Sequence, residues 1–291
     1  MNARLLYASQ CFLGEGPCWH PVRKSCFWVD IENQRLYEYQ WPEGGSVRQW
    51  VFNHRVTLVV IDQDGNLLLG MEGGIMRFDP DTGKSRWLLD LEKDLVKHRC
   101  NDGGVDRQGR LWVGTLHRDF IKGVASLYCI DEDLVPQARI SNVTISNGMA
   151  WSQDDTKLYY IDSPRRRIES YLYDAATGHI EFDKVAVQVP DGVGDPDGMT
   201  IDEEGMLWVA HWGSFSVHRW NPRNGQLLGT IRVPAPNVSA CTFAGESLDH
   251  LIITTARQDL SPEQLEQYPR SGDTFVVHLP VKGTPAQRCR I

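Results

Sequence analysis

The chain has 291 residues and a formal net charge of −8. An acidic balance argues against nucleic acid and anionic membrane surfaces as partners, and no stretch approaches the roughly 18 apolar residues of a membrane span. Seven cysteines, odd in number, scattered and without a C-x-x-C pair, suit free thiols in a reducing compartment; with no apolar leader segment at the start, a cytoplasmic location is expected.

In chain order, the first candidate element is the mostly apolar run at residues 3–8, read as an extra outer strand that ties the start of the chain to its end. A hairpin phrase then recurs six times: CWHPVRKSCFWVD (18–30), VVIDQDGNLLLG (59–70), GVDRQGRLWVG (104–114), AWSQDDTKLYYID (150–162), MTIDEEGMLWVA (199–210) and CTFAGESLDHLIITT (241–255). The apolar residue before each turn serves as an anchor: Trp19, Ile61, Val105, Trp151, Ile201 and Phe243. Successive anchors lie 42, 44, 46, 50 and 42 residues apart. A second phrase follows each copy, as in GIMRFDPDTGK (74–84) and RIESYLYDAATGH (167–179). A period of about 40–50 residues with several short strands per unit predicts an all-β, six-bladed β-propeller. The repeats run almost from end to end, so residues 1–291 are read as one domain. The run Arg165-Arg166-Arg167 reads as a solvated loop.

Counting back four residues from each anchor gives Glu15, Thr57, Asn101, Asn147, Asp197 and Ser239. All are polar. The innermost strand of each blade lines the channel, so six equivalent positions should meet at one mouth. Asp197 sits in a Pro-Asp-Gly turn (196–198) just ahead of an apolar strand, held where other blades can reach it. Two carboxylates at close range repel unless something neutralises them. Two carboxylates and two amide oxygens suit a hard divalent cation better than zinc held by His and Cys. Asx residues that merely cap turns would give the same composition. Counting back six adds Arg99 and Asp195. Arg99 lies two residues before Asn101, on the same side of a strand, and suits an oxygen-rich or anionic substrate. His117, Arg118 and Asp119 follow the strand LWVGT and could reach over the mouth. His211 and Trp212 could line the channel, although a packed His–Trp pair explains them as well. No G-x-S-x-G or G-x-G-x-x-G supports a serine hydrolase or a nucleotide fold.

GEGP (14–17), RCNDGGVDRQGRLWVGT (99–115), ISNGMAWS (145–152) and PDGMTIDEEGMLWVA (196–210) occur in an order that resembles the senescence-marker-protein/gluconolactonase family, which includes regucalcin and bacterial sugar lactonases. The resemblance implies a six-bladed propeller with one divalent metal ion at the channel mouth (Ca, Zn, Mn, Mg or Fe), held by Glu15, Asn147 and Asp197. It implies substrate contacts at Arg99 and Asn101, and at Asp119 where some members carry Glu. The implied chemistry is hydrolysis of aldonolactones to aldonic acids, with a small-molecule sugar lactone as the partner. Asp197 is assigned as the catalytic base, with Asp195 as the weaker candidate. The alternatives are hydrolysis of other lactones or organophosphates on the same scaffold, and a non-enzymatic calcium-binding regulator or scaffold.

Overall fold

The protein is described from a computed structural model, which covers residues 1–42 and 44–291. Six antiparallel sheets follow one another along the chain, as the six-fold repeat predicts. Their innermost strands are Gly14–His20, Val56–Asp62, His98–Val105, Ser146–Trp151, Asp195–Ile201 and Asn237–Ala244. They belong to blades 1 to 6 in that order. The one α-helix among the described residues is the short Pro262–Gln267, opened by a capping box at Ser261.

The recurring hairpin phrase has a mechanical reason. In blade 3, Asp106 directly follows the innermost strand, and its Oδ1 accepts from the backbone N–H groups of Gln108 (3.0 Å) and Arg110 (2.9 Å). Its Oδ2 accepts from Trp112 Nε1 at 2.9 Å. In blade 5, Asp202 does the same for Glu204, Met206 and Trp208. The aspartate closes the turn, and the tryptophan of the next strand locks onto the aspartate.

The core is laminated between blades. One apolar cluster joins Trp112 and Leu127 of blade 3 to Met149, Leu158 and Tyr160 of blade 4. Another joins Ala210 and Val217 of blade 5 to Phe243, Leu251 and Phe275 of blade 6. All seven cysteines are buried free thiols within this framework. Among the described residues, no helix is long and apolar enough to cross a membrane.

Both chain ends close the ring. Arg4–Tyr7 pairs antiparallel with Thr274–His278, with Arg4 opposite Val276, and forms the outer strand of blade 6 that the sequence predicts. Arg288–Cys289 pairs in parallel with the innermost strand of blade 2. Leu6 and Tyr7 pack on the buried cluster of Trp28, Tyr37 and Val276 that joins blades 6 and 1. Removing residues 1–9 strips that cover and exposes a strand edge. The melting temperature should fall by more than about 5 °C. An unchanged melting curve would show that closure is carried elsewhere.

Candidate functional site

Each innermost strand loses register with its neighbour at the same place. The shifts fall at Glu15/Cys18, Val56/Leu58, Cys100/Gly103, Ser146/Met149, Pro196/Met199 and Val238/Ala240. These are β-bulges, and a bulge re-aims a side chain that alternation would place elsewhere. Thr57, Asn101, Asn147, Asp197 and Ser239 lie within their bulges, and Glu15 opens its own. The backbones of adjacent bulges run close together. A Cβ on Gly148 would stand 2.6 Å from the Asp197 carbonyl oxygen, and one on Gly198 would stand 2.5 Å from Cβ of Ala240. Glycine is therefore required beside Asn147 and Asp197.

Four of the six ring residues line one cavity of about 210 Å3, together with Arg99 and Asp195: Glu15, Asn101, Asn147 and Asp197. They come from blades 1, 3, 4 and 5. Thr57 and Ser239 do not reach it. Their short hydroxyls bond the nearest backbone carbonyls, of Gly70 and Gly14. Asp30 and Asp162 fix the cavity's entrance by accepting the backbone N–H groups of Leu13 (3.1 Å) and Ile145 (2.9 Å), the residues just ahead of two innermost strands.

Within the cavity the polar groups are chained. Arg99 Nη1 donates to Asn101 Oδ1 at 2.6 Å and to the Cys100 carbonyl at 2.9 Å. Asn101 Nδ2 donates to the Ser146 carbonyl (2.6 Å) and to Asn147 Oδ1 (3.1 Å). Asn147 Nδ2 donates to Ser163 Oγ at 2.7 Å, and Ser163 Oγ donates to the Pro196 carbonyl at 2.6 Å. This chain ties blades 3, 4 and 5 and orients both asparagines.

The carboxylates are under-partnered. Glu15 accepts only from the N–H of Gly16, at 3.0 Å, and no hydrogen bond reaches the Asp197 carboxylate among the described residues. Burial, and next the charge of Asp102, push the Glu15 carboxyl up to about 8. Burial, then Glu15 and Asp102, hold Asp197 well above the usual carboxylate range. Burial lowers Arg99 to about 10. A half-buried Glu15, a buried Asp197 and the Asn147 amide oxygen form an oxygen donor set that fits a hard divalent cation, with the Arg99 guanidinium beside it available to substrate. Among the described residues, no three His, Cys, Asp or Glu side chains cluster as a metal site. The set therefore depends on the Asn147 oxygen as well as on the two acids.

Asp119 is not brought to the cavity. It is exposed, its carboxylate is paired with Lys97 Nζ at 2.6 Å, and Phe120 lines the cavity instead. Asp195 does line it, with its carboxylate paired to Arg166 at 3.2 Å. His211 is fully buried and accepts from Trp220 Nε1 at 3.2 Å, and burial pushes it down to about 3. It is a packing residue, whereas Trp212 lines the cavity. Sequence reasoning missed Ser163, Phe120 and Asp102. Asp102 follows Asn101 inside the same bulge and is raised to about 6 by burial. The equivalent residues beside Asn147 and Asp197 are glycines, so an acid at that register is a signal that the sequence does carry.

Fold and site define a six-bladed propeller with an acid-bearing channel mouth. The chain belongs to the SMP-30/gluconolactonase/LRE-like family, whose pattern matches residues 13–257. It is 35% identical to the pentonolactonase XacC of Haloferax volcanii, over 99% of this chain and 98% of that one. It is 31% identical to regucalcin of Oryctolagus cuniculus, over 94% of each. The crystal structure of a calcium-binding protein, regucalcin, from Agrobacterium tumefaciens superposes with a TM-score of 0.94 at 27% identity, covering 99% of this chain and 97% of that one.

Proposed function

We propose that the protein is a lactonase that hydrolyses aldonolactones to aldonic acids, with a divalent cation held by Glu15, Asn147 and Asp197. The observation that carries this reading is the convergence of those three residues with Arg99 in one cavity, from four different blades. The family and the lactonase among the relatives support it. The cation would supply Lewis acidity for the lactone carbonyl and acidify a water.

The chain's own residues supply the rest. Arg99 Nη2 carries no hydrogen bond among the described residues and is free to donate to the substrate. The Asp197 carboxylate accepts no hydrogen bond among the described residues, so an oxygen is left to take a proton from the attacking water. Water's oxygen bonds to the carbonyl carbon, and Asp197 takes the proton. The ring C–O bond then breaks, and the proton passes to the leaving alkoxide as the new hydroxyl.

The test is hydrolysis of glucono-1,5-lactone followed by pH indicator and corrected for spontaneous opening. Wild type and Asn147→Ala are stripped with chelator, then resupplied with Ca²⁺, Mg²⁺, Mn²⁺, Zn²⁺ or Fe²⁺. Activity that disappears on stripping, returns with one ion and is weak in the variant supports the reading. Absence of turnover on any aldonolactone with every ion would overturn it. A protein that only holds calcium is the second reading, favoured by the calcium-binding relative. Stoichiometric Ca²⁺ binding without turnover would establish it.

The raised carboxyls also set a stability trend for the cation-free protein. Glu15 moves from 4.5 to about 8 on folding, so between those values the folded state holds more protons than the unfolded state. Stability then falls as pH rises through that window. The chelated protein should melt lower at about pH 9 than at about pH 6.5, and Glu15→Gln should flatten the trend. Saturating Ca²⁺ should restore more at the higher pH. A flat or rising melting temperature in the chelated wild type would refute this account.

A further inference from the structure

The cavity's ability to bind hydroxyl groups is uneven. On the side of blades 3 and 4, every polar group beyond Arg99 is already spent. Asn101 uses its oxygen and its amide on Arg99, Ser146 and Asn147. Asn147 gives Nδ2 to Ser163, and Ser163 gives its proton to Pro196. What stands above that chain is apolar.

Leu116 pairs directly with Arg99 across the two strands of blade 3, and a β-bridge links it to Ile145 at the entrance to blade 4. Phe120 completes the wall, and all three line the cavity. The turn that presents Phe120 is well defined. Its N–H donates to the His117 carbonyl at 2.7 Å, and the Asp119 N–H donates to His117 Nδ1 at 3.1 Å. Phe120 adopts φ 54°, a left-handed conformation. That turn, with the Lys97–Asp119 pair, sends the acid outward and sets the half-exposed Phe120 ring at the rim of the cavity. The residue that could have accepted a substrate hydroxyl on this side is replaced by an aromatic edge.

We propose that the preferred substrates are deoxy-aldonolactones, in which a methyl group replaces the exocyclic hydroxymethyl and packs on Leu116, Phe120 and Ile145, with Phe120 as the specificity-determining residue. This rests on the lactonase reading. The carbonyl end lies at Glu15, Asn147, Asp197 and Arg99, and the exocyclic carbon points at the wall. A hydroxyl placed there loses its water and gains no partner, which penalises the parent sugar. A hydrophobic pocket rejects an added hydroxyl by roughly 10- to 100-fold, and that is the preference expected in kcat/KM.

The experiment compares matched pairs that differ only at that carbon: 6-deoxymannono-1,5-lactone against mannono-1,5-lactone, and 6-deoxygalactono-1,5-lactone against galactono-1,5-lactone, each pair in one absolute configuration and corrected for spontaneous opening. The protein is loaded with the ion that supports turnover. Wild type should prefer the deoxy member. In Phe120→Ser and Ile145→Thr, the ratio of the two kcat/KM values should fall toward one, and circular dichroism confirms that both variants are folded. A wild-type ratio at or below one, with some lactone still hydrolysed, overturns the substrate class and leaves the lactonase reading standing. A wild-type preference that neither variant moves overturns the assignment of the wall. If no lactone is hydrolysed, the lactonase reading itself falls, and this inference with it.

Discussion

Asp197→Asn is expected to lower kcat/KM on aldonolactones by roughly 10²- to 10⁴-fold, the range associated with a positioned general base. The substitution preserves shape, which matters at this position because Gly148 leaves no room for displacement of the adjoining backbone. It removes the charge, and with it one of the two acids that would hold the cation. Calorimetric titration with the activating ion should therefore show weakened binding in the same variant. Two comparisons sharpen the result. Asp195 lines the cavity too, but it is half exposed and tied to Arg166. Asp195→Asn should therefore change turnover only slightly. Arg99→Ala should mainly raise KM, because the guanidinium offers Nη2 to bound substrate. Near-wild-type turnover in Asp197→Asn would remove it as the base, and a large loss in Asp195→Asn would put that residue in its place.

The propeller was legible because its repeat is mechanical. In blades 2, 3 and 5 the hairpin phrase closes its turn with an acid (Asp62, Asp106, Asp202) and a Gly at positive φ (Gly65, Gly109, Gly205), and in blades 3 and 5 a Trp locks the acid. Blade 4 puts Ser152 and blade 1 His20 in the acid's place, so the spacing stays readable while the turn residue changes. The channel mouth was legible through register. Glu15, Asn101, Asn147 and Asp197 meet where equivalence predicts, and the Arg99–Asn101 spacing gives a direct hydrogen bond. Register did not show that the mouth is built on bulges, because a two-for-one mismatch depends on the neighbouring strand as well as the strand itself. Asp102 was missed for that reason. Register also could not separate Thr57 and Ser239 from the others, since a hydroxyl one bond from Cβ is captured by the nearest carbonyl whereas an amide or carboxylate reaches the axis. The loop at 117–121 was misread because its geometry depends on Lys97, contributed by a separate turn. Two adjacent residues, Asp119 and Phe120, compete to face the cavity, and nothing in their order says which one does.

Asp106→Ala is expected to be the most damaging single substitution outside the mouth, destabilising the protein by about 3–5 kcal/mol. Asp106 is fully buried and serves five donors. Beside the two turn N–H groups and Trp112 Nε1, its Oδ2 accepts from Arg110 Nε at 2.7 Å and from the Tyr173 hydroxyl at 2.8 Å. Tyr173 belongs to blade 4, so this carboxylate also joins two blades. The loss is large because of what remains. Arg110 is only 3% exposed, and its charge would stay buried with just the Tyr173 hydroxyl, the Ala175 carbonyl and Gln108 to face. An unpaired buried charge outweighs the modest net value of any one hydrogen bond. Asp119→Ala is the matched control, since it removes an equally short ion pair, with Lys97, at an exposed site. Exposed pairs contribute under about 1 kcal/mol. Thermal melts of the two variants should differ by roughly 5–15 °C, with Asp106→Ala the lower. Similar melting temperatures would show that the turn aspartates are replaceable, and that the repeat persists in the sequence for some reason other than stability.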